Sequence, residues 1–418
     1  MEAAESGVLA PAAGALEEVL ERQELRSVFQ PIVDLETGSL FGFEALTRGP
    51  KGSALEQPDQ LFAAARAEGR LAELDAACQN KAVASAQTHA IKSPLTLFVN
   101  VEPDVSGFGS LPQIGRDVRG IIELTERTLT TRLVELLPAV QSAREKGWGI
   151  ALDDVGADTR SLALMPLLRP DVIKLDLRLV QDQPTPEIAA IAGAVGAQAE
   201  RTGATVLAEG IEDEEQAQYA RALGATLGQG FFFGRPSSKP KHTRATDIPL
   251  PIYSSALPYT WRTPFELASA HRKVRRGTIP LLAAMSRELE RQAARSSRTS
   301  LLLSSFPDAD RWKSHLGVYE ELATELAFAA VLAVGVPPEP IPGLKGINIY
   351  EDDPVSGTWN VIAISAHFAA MVAAKERPLE GAEEQEFDFI FTYDRDLIVE
   401  CAQALILRIA GRPSLPAE

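Results

Sequence analysis

Eight side chains of this sequence could do chemistry together: Glu44, Asn100, Glu123, Asp153, Asp154, Lys174, Glu209 and Gln229, each near the C-terminal end of a short apolar run. A single acid in such a place is more often a helix cap or half of a surface ion pair. Several converging on one spot are another matter, because buried carboxylates are costly unless cations neutralise them. Glu44, Asn100, Glu123, Asp153, Asp154 and Glu209 offer only oxygen, with no His or Cys among them. Hard divalent cations, Mg2+ or Mn2+, are the expected occupants, and Zn2+ is disfavoured. Asp153 and Asp154 are adjacent where a strand turns into a loop, so the two carboxylates can reach two different ions. A two-metal site suits phosphodiester cleavage, since one pair of ions activates water and stabilises the in-line displacement. Lys174 then orients the nucleophile or neutralises charge developing on phosphate; its competing role is a structural ion pair with Asp176 or a neighbouring carboxylate.

The elements that must position these groups are strands, in which alternate residues face opposite sides. In Phe41 to Glu44 the two Phe share one face and Glu44 takes the other; in Leu95 to Asn100, Leu95, Leu97 and Val99 face out and Asn100 faces in. The same alternation turns Glu123, Asp153, Glu209 and Gln229 inward, and sets Lys174 and Asp176 together opposite Ile173, Leu175 and Leu177. The apolar runs are Ser27 to Val33, Leu40 to Leu46, Leu95 to Asn100, Gly120 to Leu124, Gly149 to Asp153, Val172 to Leu177, Thr205 to Glu209 and Gly228 to Phe233. Between them, Gln57 to Gly69, Leu71 to His89, Thr130 to Gly147, Pro186 to Thr202 and Asp213 to Leu223 have helical periodicity. The expected fold is α/β, a TIM-like (β/α)8 barrel whose active site lies at the C-terminal ends of the strands.

The chain has 418 residues, too many for one typical domain. After Phe233 the pattern changes. The spacing predicts a leader helix or extension over 1–24, a barrel over 25–240, a linker over 241–260, a smaller mixed α/β domain over 261–411 and a tail over 412–418. In the second domain a long helix is expected from Pro264 to Ala294, with helices at Trp312 to Glu325 and Asp396 to Ala410. Apolar runs there span Ser300 to Ser304, Ala327 to Val334, Gly346 to Tyr350, Asn360 to Ile364 and Phe387 to Thr392. His271, His315 and His367 are too scattered to make a metal site. A formal net charge of -16 argues against coating a large nucleic acid. Two distant cysteines, Cys78 and Cys401, fit buried apolar fillers in a reducing compartment. The acidic N-terminus lacks the features of a secretory signal, and no apolar run reaches the roughly 20 residues that span a bilayer. A cytoplasmic protein is expected.

Seven strings carry a family resemblance: Phe29-Gln30-Pro31-Ile32-Val33, Glu44-Ala45-Leu46-Thr47-Arg48, Glu123-Leu124-Thr125-Glu126, Asp153-Asp154-Val155-Gly156, Lys174-Leu175-Asp176, Glu209-Gly210-Ile211-Glu212 and Gln229-Gly230-Phe231. In this order the chain resembles the EAL domain family of cyclic-di-GMP phosphodiesterases from about residue 25 to 236. The resemblance implies hydrolysis of cyclic di-GMP to linear pGpG, with Mg2+ or Mn2+ as cofactor and a homodimer formed through the barrel. By resemblance, Glu44, Asn100, Glu123 and Asp153 ligate one metal, Asp153 and Asp154 serve the second, and Glu209 completes the cluster. Lys174 and Gln229 match positions that hold the attacking water, Arg48 one that grips a substrate phosphate, Gln30 one near a guanine base, and Glu212 an anchor for the loop after the Asp pair. That loop departs from the family string: Val155 stands for a Phe, and Ala157-Asp158-Thr159-Arg160 for Thr-Gly-Tyr-Ser. The departure keeps open an alternative, a catalytically weak or inactive receptor for the same nucleotide. The second domain resembles the DICT sensory domain, through the order of elements around Trp312 to Val334, Trp359 to Glu376 and Phe387 to Leu405. An unknown protein or small molecule is its expected input.

Overall fold

A computed structural model of the chain describes residues 14–102, 111–115, 117–252, 261–307, 309–313, 315–378 and 385–410. Residues 1–13 of the expected leader, 253–260 of the linker and the tail 412–418 lie outside the described residues. The helix α1 (Ala15–Glu21) leads into a hairpin of β1 (Arg26–Asp34) and β2 (Leu40–Arg48). There follow α2 (Pro58–Ala67), α3 (Leu71–Thr88), β3 (Thr96–Asn100), β4 (Arg119–Thr125), α4 (Glu126–Glu145), β5 (Gly149–Val155), α5 (Ser161–Leu168) and β6 (Val172–Leu175). The succession ends with α6 (Leu177–Gln181), α7 (Pro186–Thr202), β7 (Thr205–Ala208), α8 (Glu214–Ala222) and β8 (Leu227–Gln229). Strands β1 to β8 close into a barrel in chain order, the TIM-like fold expected. One strand runs against the rest: β1 is antiparallel to both β2 and β8, because it joins β2 through a tight hairpin instead of a crossover helix.

The barrel interior is built in two layers. Ile32, Phe98, Ile121, Ala151, Val172, Leu207 and Leu227 pack into an apolar plug, and Leu250 joins it from the chain that leaves the barrel. Arg119 donates a hydrogen bond to the Leu250 carbonyl, so part of the stretch read as linker lies against the barrel floor. One side-chain step above the plug on each of these strands stands Gln30, Asn100, Glu123, Asp153, Lys174, Glu209 or Gln229. The two-residue period therefore turns chain direction into depth, apolar below and polar at the mouth.

The second domain comprises α9 (Pro264–Ser269), β9 (Arg275–Thr278), α10 (Ile279–Ser296), β10 (Ser300–Ser305), α11 (Ala309–Lys313), α12 (Leu316–Leu322), β11 (Phe328–Ala333) and β12 (Lys345–Asn348). It is completed by β13 (Thr358–Ser365), β14 (Ala369–Glu376), β15 (Glu386–Thr392) and α13 (Arg395–Ile409). Its mixed sheet has the order β12-β11-β10-β13-β14-β15-β9. The single helix expected from Pro264 to Ala294 is two helices with β9 between them. The like charges of Arg272, Lys273, Arg275 and Arg276 followed by Gly277 break the helix, and Pro280 starts the next one. One face of the sheet, with Leu302, Val331, Trp359 and Val361, packs on Leu282 and Leu289 of α10 and Tyr319 of α12. The other, with Leu301, Leu303, Ile362 and Ile364, shares one continuous core with α13 and the barrel.

Helix α5 is the centre of that shared core. All eight of its residues are buried, as expected of a helix apolar on every side. It lies between α4 and α7 of the barrel on one side and β10, β13 and α13 on the other. The Gln403 amide of α13 donates to the Leu167 carbonyl at 2.7 Å and so closes one open end of α5. Cys78 and Cys401 are both buried. No helix among the described residues is long and apolar enough to cross a membrane.

Candidate active site

Lys174 sits at the middle of the polar layer, 1% exposed, on β6. Its Nζ lies 2.6 Å from Glu123 Oε1, 2.8 Å from Asp153 Oδ1 and 2.7 Å from Glu209 Oε1. Asp176, read as sharing its face, is instead the cap of α6: its carboxylate accepts from the Arg178 backbone and pairs with the Arg178 side chain at 2.9 Å. The strand ends at Leu175, two residues short of the expected Leu177, because Asp176 satisfies the open N–H groups of a helix start.

A second group of contacts surrounds Glu44. Asn100 Nδ2 donates to its Oε1 at 2.8 Å, Gln229 Nε2 to its Oε2 at 2.5 Å, and the same Gln229 nitrogen lies 3.2 Å from Gln30 Oε1. Four of the predicted residues are thus one hydrogen-bonded chain across β1, β2, β3 and β8. β8 ends at Gln229, short of the strand expected to Phe233, and Phe231 and Phe232 are exposed. Arg48 is at the end of β2, on the side of Glu44, with its guanidinium on the Thr47 carbonyl.

The Asp pair owes its geometry to a bulge. Leu152 pairs with Ile173 and Val155 with Leu175, so β5 carries one residue more than β6 over this stretch. Asp154 takes it up with φ +58, in the left-handed region that Asp tolerates better than most residues. Asp153, Asp154 and Glu209 can each offer one oxygen, and these oxygens lie within 4.8 Å of one another. Glu123 Oε2 is buried with no hydrogen-bond partner among the described residues. A cluster of oxygens this close, with an unpartnered carboxylate oxygen of Glu123 in the same polar layer, fits a hard divalent cation.

The electrostatics agree with that fit. Burial, then the neighbouring Glu44 charge, pushes the Glu123 carboxyl well above its ordinary value despite Lys174. Burial and Asp153 raise Glu209 to about 8 and Asp154 to about 6. Glu44 goes the other way: burial favours its neutral form, but Lys174 and the Gln229 and Asn100 amides together hold it below the usual range. Lys174 is also buried, yet Asp153, Glu123 and Glu209 keep it charged, well above an ordinary lysine. One ammonium among this many carboxylates leaves excess negative charge for further cations to neutralise.

The loop after the Asp pair is held by Glu126, the last residue of the string Glu123-Leu124-Thr125-Glu126, for which no role is expected from the sequence. Its carboxylate accepts from the backbone N–H of Gly156 at 2.7 Å, of Ala157 at 3.2 Å, and of Asp158. Glu212, expected as the anchor, is exposed beside α8, and its own N–H donates to Gln216. The signal for Glu126 was its place one residue after Thr125, which caps α4 and aims the first turn at the loop. Burial raises Glu126 to about 7 against those three hydrogen bonds. Gly156 is required at φ +115, where a Cβ would stand 2.7 Å from Leu179. Asp158 and Arg160, two of the departures from the family string, pair with each other, Arg160 Nε to Asp158 Oδ2 at 2.8 Å.

Residues 13–236 match the family described as EAL domain, and 267–377 match the sensory domain in diguanylate cyclases and two-component systems. Among curated proteins, the chain is 29% identical over 234 residues to cyclic di-GMP phosphodiesterase NbdA of Pseudomonas aeruginosa, covering 53% of this chain and 30% of that protein. It is 28% identical over 233 residues to cyclic di-GMP phosphodiesterase RocR of the same species, covering 52% and 58%. A solved structure of BlrP1 from Klebsiella pneumoniae, a calcium and cy-diGMP complex, is 31% identical with a TM-score of 0.45, covering 52% of this chain and 56% of that one. The chain thus spans between 30% and 58% of the length of these relatives.

Proposed function

The chain belongs to the EAL domain family, and we propose that it is a metal-dependent phosphodiesterase that hydrolyses cyclic di-GMP to linear pGpG under control of its C-terminal domain. The observation that carries this reading is the polar layer itself: a charged, buried Lys174 bonded to Glu123, Asp153 and Glu209, directly above an apolar floor. Two relatives named as cyclic di-GMP phosphodiesterases support the choice of substrate.

Glu44, Asn100, Glu123, Asp153 and Asp154 are the residues that would hold Mg2+ or Mn2+, and such ions supply polarisation of the phosphoryl oxygens and a more acidic bound water. Around them the chain's own groups divide the work. Glu209, fixed by Lys174, is placed to take the proton of the attacking water. Lys174 keeps a positive charge beside the phosphoryl group as charge develops there. Gln229 holds Glu44 and Gln30 in one orientation. Arg48 grips a substrate phosphate and Gln30 meets a guanine edge. The apolar floor excludes water from below. A homodimer through the barrel and a cytoplasmic setting belong to the same reading.

The test is turnover of cyclic di-GMP by Glu44→Gln and Asp153→Asn in the full chain. Each removes one charge from the cation site at constant shape, and each is expected to lower kcat by at least about 100-fold. Wild-type turnover in either variant would refute the metal assignment.

A further inference from the structure

A cavity of about 330 Å³ lies at the seam between the barrel and the second domain, at the small end of the roughly 300–1,000 Å³ usual for ligand sites. Its two walls differ in charge. From the barrel come Pro166 of α5, Arg169 at the end of α5 and Arg201 of α7; from α13 come Asp396, Glu400 and Gln403. If this were only the adhesive between two domains, the opposed charges should close into tight ion pairs. Across this cavity one pair forms among the described residues, and it is long: Arg201 Nε stands 3.8 Å from Asp396 Oδ1, beyond hydrogen-bonding distance, and the Asp396 side chain is 68% exposed. Arg169 and Glu400 have no ion-pair partner among the described residues. On the same side Asp394 is already taken by Arg272, and His271 is exposed at the rim. Burial, opposed by Asp396 and aided by Arg169, lowers the proton affinity of Arg201, whose Nη2 donates to Gln198 Oε1 on its own wall and whose Nε is left facing the cavity with only the long contact to Asp396.

We infer that this seam is a binding site for a small zwitterion of the amino-acid class, its carboxylate toward Arg169 and Arg201 and its ammonium toward Glu400 and Asp396. Guanidinium groups take a carboxylate through paired, charge-assisted hydrogen bonds, and two carboxylates on the facing wall suit an ammonium. A bare anion would face the acids of α13, and a bare cation the arginines of the barrel. Only a ligand carrying both charges satisfies both walls.

The site is also placed to matter. Pro166 is part of α5, and Gln403 is the residue whose amide binds the Leu167 carbonyl. Helix α5 begins directly after the loop that Glu126 holds beside Asp153 and Asp154. A ligand that draws the walls together therefore acts on a helix that joins the second domain to the proposed metal site. That consequence rests on the phosphodiesterase reading; the binding does not.

The test is calorimetric titration of the full-length chain with each of the protein amino acids in turn. Inorganic phosphate and the amides of the amino acids that bind serve as controls. At least one amino acid is expected to bind, with affinity at least tenfold weaker in Arg201→Gln and in Glu400→Gln, and tenfold weaker for its amide. Melting of each unliganded variant shows whether it folds, and either folded variant alone decides the matter. No binding by any amino acid, unchanged affinity in a folded variant, or phosphate binding as tightly as the best amino acid would each overturn the proposal. Heat is read without hydrolysis, so an inactive enzyme leaves the result interpretable.

Discussion

The chemistry of the site converges on Lys174, whose buried ammonium has carboxylate neighbours on three other strands. Replacing it by Met keeps most of the volume and removes the charge, leaving Glu123, Asp153 and Glu209 to repel one another. Lys174→Met is expected to lower kcat at least about 100-fold while the KM for cyclic di-GMP changes less than fivefold, because the charge acts on the transition state. A steady-state assay at saturating metal separates the two; a large rise in KM with kcat intact would return Lys174 to a purely structural role. Arg48 is the converse case. With metal chelated, Arg48→Ala is expected to weaken nucleotide binding by about 1.5–3 kcal/mol, the worth of a hydrogen bond to a charged group. Equal heats of binding for wild type and variant would remove Arg48 from the phosphate. Legibility at this scale was high for the inward residues, whose two-residue period survived into the structure. It failed at Glu126 and Glu212, where the choice depended on which carboxylate the loop backbone folds back upon. That is a three-dimensional fact no spacing encodes.

Among the elements, the eight barrel strands were readable, while α5 and, in the second domain, β9 and β14 were not. A helix that is apolar on all sides has no period to detect, and Ser161 to Leu168 is such a helix because a second domain covers its outer face. The break at β9 was missed for a related reason: Arg275 to Thr278 becomes a strand only by pairing with β15, more than 100 residues away. Helix α3 makes its own prediction. Asp75 is buried, accepts from the Glu102 backbone and from Gln79, and burial raises its carboxyl to about 7 from an ordinary value near 4. The folded state thus holds a proton that the unfolded state has lost between those two values. Its stabilising contribution is complete below about pH 4 and gone above about pH 7. In Asp75→Asn the Gln79 amide can turn so that its unpartnered Oε1 accepts the new N–H. The variant is expected to be more stable than wild type at pH 8, on the order of 2 kcal/mol, and less dependent on pH between 5 and 8. Urea unfolding at the two pH values measures this, and a variant less stable at pH 8 would show that the charge is well solvated.

For the whole molecule, the decisive feature is the continuous core from the barrel helices through α5 to the sheet of the second domain. Two bodies that share a core should melt together, so a single calorimetric transition is expected for the full chain. Two separated transitions would mean that α5 contributes little to joining them. The same continuity gives the second domain its means of control, through a helix rooted in the loop at Asp154. That a mixed α/β domain follows the barrel was legible from the change of pattern after Phe233; the packing of the two parts was not, since sequence periodicity describes faces and leaves their partners open.

Whether the polar layer performs phosphodiester hydrolysis is tested most directly by incubating the full-length chain with cyclic di-GMP and Mn2+ or Mg2+ and separating the products by chromatography. The expected result is linear pGpG formed in stoichiometric amount, abolished by chelation and restored by added metal. Undiminished cyclic di-GMP at every metal concentration, with the nucleotide still bound to the protein, would contradict the account and identify the chain as a receptor.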